Sequence, residues 1–133
     1  MRTIRTAATR ALLAAAAVTA LPAAAQFGPI HVAANRHQHV GHCPVEIVYT
    51  ASINFEMPHP KGFVFNYRWE RSDGAKGPTK VIRPGPHERT LVVHDKWRVG
   101  GARGVHDLSE TIHVNSGNTH LAEGSPVVHV ECR

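Results

Sequence analysis

Histidine is the residue type in this chain most able to do chemistry, and three histidines lie within six positions. They form the run His37-Gln38-His39-Val40-Gly41-His42. Neutral imidazole binds Zn²⁺, Cu²⁺ and Ni²⁺ well, and a flexible segment could bring three rings to one ion. Structural zinc sites, however, are rigid and usually four-coordinate, with further groups that orient each ring. We therefore favour a solvated polar segment, with a metal site of His37, His39 and His42 as the alternative.

A second pair of histidines follows from strand parity. His113 and His129 both lie off the apolar parity of two consecutive strand-like runs. If Ile112 faces Val130 in an antiparallel pair, His113 faces His129, and the two rings could bind a metal or repel each other when protonated. A loss of stability between pH 7 and 5 is then expected. Without this register, they are two independent surface histidines.

Asp95 and two tryptophans complete the candidate site residues. Asp95 has the parity of its apolar neighbours, and we expect it to accept hydrogen bonds at a sheet edge rather than to act in catalysis. Trp69 and Trp97 also have the parity of core residues. Packing in the core is therefore favoured over a role as exposed surfaces that stack on sugars.

The local motifs of common enzyme classes are missing from the sequence. It contains no Gly-x-Ser-x-Gly, no His-Glu-x-x-His and no glycine-rich phosphate loop. We therefore expect no enzymatic activity, no catalytic residue and no cofactor beyond weakly bound Zn, Cu or Ni.

Alternating apolar residues after position 42 predict β-strands. The runs 43–55 and 63–69 alternate most clearly, and turn sequences such as Ser72-Asp73-Gly74 separate the shorter runs that follow. No segment after residue 25 has a helical period. An all-β antiparallel sandwich of about six or seven strands is expected over residues 43–133.

The two cysteines are predicted to form one disulfide. Cys43 and Cys132 both have core parity in their strands, and they stand near the two ends of the region expected to fold. A bridge between them would close a long loop of the unfolded chain, which stabilises the fold.

The first 25 residues are predicted to be an export signal. They contain three arginines, an apolar run over 11–21 and the small residues Ala23-Ala24-Ala25. Cleavage near Ala25, without a cysteine for a lipid anchor, would release the mature chain into the periplasm or the medium, where disulfides form. Residues 26–42 would then be a flexible, histidine-containing tail.

The charge of the mature chain excludes one class of partner. Three of the fifteen basic residues lie in the signal, so twelve remain against ten acidic residues. This small excess is dispersed along the chain, whereas nucleic-acid binding requires clustered basic residues. We therefore expect no nucleic-acid partner, and no membrane anchor in the mature form.

The run Tyr67-Arg68-Trp69-Glu70-Arg71-Ser72-Asp73-Gly74, with Trp97 and a cysteine near each end, resembles small secreted bacterial immunoglobulin-like domains. The resemblance covers residues 43–132, and its motifs are structural. The cysteine spacing departs from antibody-type domains, in which the bridge joins two central strands. The resemblance implies an immunoglobulin-like sandwich and no shared activity.

We therefore expect a secreted, non-enzymatic module that binds a protein or cell-surface ligand through loops on a rigid scaffold. The alternative is a periplasmic protein that binds Zn, Cu or Ni through the histidine tail, with or without His113 and His129. The candidate recognition loops are Met57–Gly62, Arg83–Glu88, Gly100–His106 and Asn115–Ser125.

Overall fold

The structure, a computed structural model, describes residues 27–133, which form ten β-strands and no helix. The predicted signal peptide lies outside the described residues. Within the described part of the chain, no helix has the length and apolarity needed to cross a membrane. The strands are β1 (Phe27–Ala34), β2 (Gln38–Gly41), β3 (Val45–Phe55), β4 (Phe65–Arg71), β5 (Lys80–Ile82), β6 (Thr90–Val99), β7 (Gly104–Leu108), β8 (Glu110–Ser116), β9 (Thr119–Gly124) and β10 (Val128–Cys132).

The strands form three sheets, each named here after a central strand. The β3 sheet has the order β1-β3-β6, the β4 sheet β5-β4-β8-β9, and the β10 sheet β2-β10-β7. β2 runs parallel to β10, and the other paired strands are antiparallel. The predicted all-β class is confirmed, and the arrangement is compatible with a β-sandwich.

Period-two alternation directs one face of each central strand into a shared core. Alternate residues of β3 are buried from Val45 to Phe55, and β8 and β10 show the same alternation. The buried side chains of all three sheets form one cluster. Because each fully buried large apolar side chain contributes about 1.5–3 kcal/mol, this cluster is the main source of stability. Trp69 and Trp97 belong to it, as their parity predicts.

The predicted disulfide between Cys43 and Cys132 is confirmed. The two sulfur atoms are 2.02 Å apart, and the two Cα atoms are 5.4 Å apart. The bridge joins the segment between β2 and β3 to the end of β10, and so links two sheets. Gly100 packs against it with a φ of +88°, where an added Cβ would lie 2.8 Å from the sulfur of Cys132. Only glycine combines this backbone conformation with this close approach.

The flexible tail predicted over residues 26–42 is wrong for the part that the structure describes. β1 pairs with β3, and β2 pairs with β10. The amide nitrogen of His129 donates a hydrogen bond to the carbonyl of His37 (3.1 Å), and that of Arg133 donates to the carbonyl of Gly41 (2.9 Å). The sequence signal is weak because both strands lie at sheet edges, where side chains are less buried. A register shift between Phe27 and Ile30 further interrupts the alternation of β1.

Two of the four predicted recognition loops also contain strands. β7 lies partly within the predicted loop Gly100–His106, and β9 lies within Asn115–Ser125. Both are edge strands with mostly exposed side chains. Their sequences therefore have the polar composition that is typical of loops. The other two predicted loops, Met57–Gly62 and Arg83–Glu88, connect strands as expected.

Candidate functional site

Two predicted recognition loops meet at one end of the molecule. Met57–Gly62 connects β3 to β4, and Arg83–Glu88 connects β5 to β6. The ring Nε2 of His59 donates a hydrogen bond to the carbonyl of Gly85 (2.8 Å), and so ties one loop to the other. Each loop is also closed by a backbone hydrogen bond of its own, of 3.0 Å onto Pro60 and 3.2 Å onto Gly85. The two loops therefore hold a fixed relative position.

Between them the loops form an open groove of about 540 Å³. This volume lies within the range of roughly 300–1,000 Å³ that is typical of ligand pockets. Proline dominates the lining, which makes the surface apolar and its backbone stiff. The lining residues are Pro58, His59, Pro60, Lys61, Gly62, Phe63, Val64, Arg83, Pro84 and Pro86. We call this surface the proline groove.

A cluster of four phenylalanines supports the proline groove from the core side. Phe63, which lines the groove, lies 5.6 Å from Phe27 and 5.9 Å from Phe65 between ring centroids. Phe55 completes the cluster, 5.3 Å from Phe65. Aromatic pairs at these separations add about 0.5–1.5 kcal/mol beyond their area burial. The wall of the groove is therefore anchored in the core.

Two cations give the proline groove its charge. Lys61 and Arg83 both line it, and both are exposed. His59, the third basic side chain of the lining, has one ring nitrogen engaged with a carbonyl. An apolar surface with this rim suits a ligand that combines apolar groups with negative charge.

The predicted metal ligands of the N-terminal segment occupy β2 and its flanks. His39 Nδ1 lies 3.3 Å from the guanidinium of Arg36, and its Nε2 donates to the carbonyl of His42 (2.9 Å). Both ring nitrogens of His39 thus have protein partners. Within residues 27–133, no three His, Cys, Asp or Glu side chains are arranged to hold a metal ion. A physiological metal site of His37, His39 and His42 stays a prediction.

The predicted pairing of His113 with His129 is wrong, because the two residues lie in different sheets. His113 of β8 pairs in register with Arg68 and Ala122, whereas His129 of β10 pairs with Asp107. The Nδ1 atom of His129 lies 2.7 Å from Oδ1 of Asp107. The prediction treated the strands now named β8 and β10 as consecutive because it did not include β9, which lies between them in the chain.

His113 does contact another histidine, on β9. Its Nδ1 lies 3.2 Å from Nε2 of His120, and its Nε2 lies 3.0 Å from the Glu70 carboxylate. Burial, followed by the nearby Arg68 guanidinium, lowers the pKa of His113 below its ordinary value, and Glu70 opposes this change. The expectation of a histidine that resists protonation therefore fits His113, with a different partner.

Asp95 and the buried Glu110 share one arginine. Arg71 Nη2 lies 3.5 Å from the Asp95 carboxylate, and Arg71 Nε lies 3.7 Å from that of Glu110. Asp95 accepts a hydrogen bond, as predicted from its position in the sequence, whereas the burial of Glu110 was not predicted. The signal was present, since Glu110 has the same parity as the core residues Ile112 and Val114 on β8.

Comparisons of the chain with protein-family models, with curated proteins and with solved structures gave no match. The geometry and charge of the proline groove therefore carry the functional proposal.

Proposed function

We propose that the protein is a secreted, non-enzymatic binding module whose ligand site is the proline groove. The observation that carries this proposal is the union of two loops, distant in sequence, into one preformed apolar surface of about 540 Å³. The tie from His59 to Gly85 fixes the loops before a ligand arrives. A preorganised site loses less conformational entropy on binding, which favours affinity.

The ligand that fits this surface is an extended peptide segment with apolar side chains and acidic flanks. Proline contributes carbonyl acceptors and no N–H donors, so the groove can accept hydrogen bonds from the N–H groups of an extended chain. Apolar side chains of the peptide would cover Phe63 and the four prolines of the lining. Acidic residues at its ends would pair with Lys61 and Arg83.

The disulfide and the sequence of the first 25 residues both support export of the module. The disulfide between Cys43 and Cys132 is consistent with an oxidising extracellular or periplasmic environment. Together with the basic and apolar sequence of the first 25 residues, it supports a signal peptide cleaved near Ala25. We further propose that the sandwich is immunoglobulin-like, on the basis of the run from Tyr67 to Gly74 and the buried tryptophans.

Selection from a library of random displayed peptides tests the proposed function. We expect the enriched peptides to combine aromatic or aliphatic residues with Asp or Glu. Reversing both groove cations, in Lys61→Glu/Arg83→Glu, should weaken binding by at least about tenfold, equivalent to about 1.4 kcal/mol. The matched control reverses two exposed cations of β6, Lys96→Glu/Arg98→Glu, and should retain affinity.

Two results would contradict the proposal. Selected peptides without acidic residues would remove the role given to the cationic rim. Equal loss of binding in the groove variant and in the β6 control would show that net charge, rather than the proline groove, attracts the peptide.

A further inference from the structure

A second cavity lies between the β3 and β4 sheets, around the buried side chain of Glu110. The side chain of Glu110 has no exposed surface, and neither carboxylate oxygen has a hydrogen-bond partner. Nε of Arg71 lies 3.7 Å from one of these oxygens, beyond hydrogen-bond distance, and the nearby Asp95 carboxylate is a like charge. A buried, unpartnered carboxyl group costs free energy, so its unused oxygens mark a place where a polar ligand gains more than it would at the surface.

The cavity has a volume of about 190 Å³, and we call it the Glu110 cavity. Its outer wall is the segment after the β4 turn, held by hydrogen bonds from the Arg71 amide to the Ala75 carbonyl (2.8 Å) and from the Gly77 amide to the Trp69 carbonyl (2.8 Å). The wall is therefore fixed to β4. The lining residues are Trp69, Arg71, Ala75, Lys76, Gly77, Pro78, Asp95 and Glu110.

The charges of the lining nearly cancel. Arg71 and Lys76 balance Asp95 and Glu110 when all four are ionised, and one positive charge is left when Glu110 keeps its proton. Arg71 already stands beside both carboxylates, which discourages a cationic ligand, and the carboxylates discourage an anionic one. The structure thus favours an uncharged ligand.

The unused hydrogen-bonding groups specify what that ligand must carry. They are the two oxygens of Glu110 and the indole nitrogen of Trp69, which is buried and unpartnered. A hydroxyl group can both donate and accept a hydrogen bond, so it matches a carboxyl oxygen and an N–H group alike. Because burial raises the pKa of Glu110 to about 8, the carboxyl group can itself donate a proton at neutral pH. Two neighbouring hydroxyls satisfy both of its oxygens in either protonation state.

We propose that the Glu110 cavity binds a neutral vicinal diol, supplied by a small polyol or by the edge of one sugar ring. One water molecule occupies about 30 Å³ in the liquid, so the cavity has room for about six non-hydrogen atoms. This is the size of a three-carbon polyol, or of the diol edge of a pyranose. The indole of Trp69 supplies an apolar surface for the C–H groups of either.

The test follows the indole N–H resonance of Trp69, assigned with Trp69→Phe, during titration of the folded protein. The probes are glycerol and methyl α-glucopyranoside, with propane-1,3-diol, ethylammonium and acetate as controls. We expect a saturable shift with at least one vicinal diol and none with the three controls. A response to glycerol alone identifies a free polyol as the ligand, and a response to the glucopyranoside identifies a sugar edge.

Two variants separate the cavity from the rest of the protein. Glu110→Met removes both carboxyl oxygens at similar volume, so it should weaken diol binding by at least about tenfold. The variant should still fold, because an apolar replacement of a buried charge is usually tolerated. Ala75→Leu fills the cavity from its wall and should also abolish binding. Glu123→Gln changes an exposed carboxyl on β9 and should leave binding intact.

The proposal is overturned if neither vicinal diol gives a saturable shift, or if any of the three controls gives one. Unchanged diol affinity in a folded Glu110→Met protein would also overturn it, as would unchanged affinity in Ala75→Leu.

Discussion

Replacing Glu110 with glutamine should stabilise the protein, and should do so only above mildly acidic pH. Burial, followed by the nearby Asp95 carboxylate, raises the pKa of Glu110 from 4.5 to about 8, although Arg71 opposes this change. The folded protein therefore keeps the proton over a pH range in which the unfolded chain has lost it. An acid with a raised pKa contributes most to stability below its unfolded pKa, and that contribution is lost as pH rises towards the folded pKa.

The magnitude follows from the size of the pKa change. One pKa unit corresponds to about 1.4 kcal/mol, so wild-type stability should fall by about that amount per pH unit between about 5 and 8. Raising the pKa from 4.5 to about 8 corresponds to a total loss on the order of 5 kcal/mol. The whole stability of a small domain is about 5–15 kcal/mol, so the effect is a large share of it.

Urea unfolding, followed by the fluorescence of the two buried tryptophans, measures this effect between pH 5 and 8.5. The interval from pH 7 to 8.5 is the most informative, because His113, whose pKa is lowered in the folded state, is largely neutral there in both states. Tyr49, a further titratable group near Glu110, keeps its proton because its pKa is raised to about 12. Glu110→Gln should match the wild type at pH 5 and exceed it by about 2–5 kcal/mol at pH 8.5.

Glu123→Gln, an exposed substitution on β9, is the matched control and should follow the wild-type curve. Wild-type stability that is flat or rising between pH 7 and 8.5 would refute the reasoning. A constant difference between Glu110→Gln and the wild type at every pH would refute it as well, because the effect would then not arise from the proton.

Three further substitutions have defined outcomes. Cys43→Ser should lower the free energy of unfolding by about 2–5 kcal/mol, and thiol labelling of the unfolded wild-type protein should find no free cysteine. Gly100→Ala should destabilise by more than about 1 kcal/mol in urea unfolding, because its Cβ meets the disulfide at a positive φ, whereas Gly101→Ala, with open space around it, should not. The melting temperature of His113→Gln should rise relative to that of the wild type as pH falls from 7 to 5.5. A histidine whose pKa is lowered by folding costs stability as pH falls through its pKa in the unfolded chain. The exposed control His87→Gln should show no such gain in melting temperature.

The central strands could be predicted from the sequence because one face of each strand is buried in the core and the other is more exposed to water. β3 and β4 each have one face in the core, so their apolar residues alternate strictly and predict both the strand and its orientation. The same parity oriented both cysteines correctly and predicted the disulfide. Local alternation is sufficient here because burial on one face is a local property of the strand.

The edge strands could not be read in the same way. β7 and β9 bury few side chains, and β2 has four residues, so pairing rather than apolar content defines them. Their partners are distant in sequence, as in the parallel pairing of β2 with β10. Missing β9 had a specific consequence, since it made β8 and β10 look adjacent and gave His113 the wrong partner.

The two candidate sites also differ in how much of each could be predicted from the sequence. Both loops of the proline groove were identified from composition, but their convergence depends on the sandwich and on the contact from His59 to Gly85. The Glu110 cavity was not predicted, because one charged residue at a core parity does not show which side chains surround it. Its neighbours Arg71 and Asp95 come from two other strands, and only the packing of the sheets brings the three together.

The two sites depart in opposite ways from the pattern that stability alone would favour. The proline groove leaves apolar side chains open to solvent, and the Glu110 cavity places an unpartnered carboxyl group in the interior. Each departure lowers stability, and such local inconsistencies are typical of functional sites. They flank opposite ends of β4, since Phe63 and Val64 precede the strand and Trp69 and Arg71 end it. At about 3.3 Å per residue, the length of β4 separates them by roughly 20 Å, so substitutions in one site should leave binding at the other unchanged.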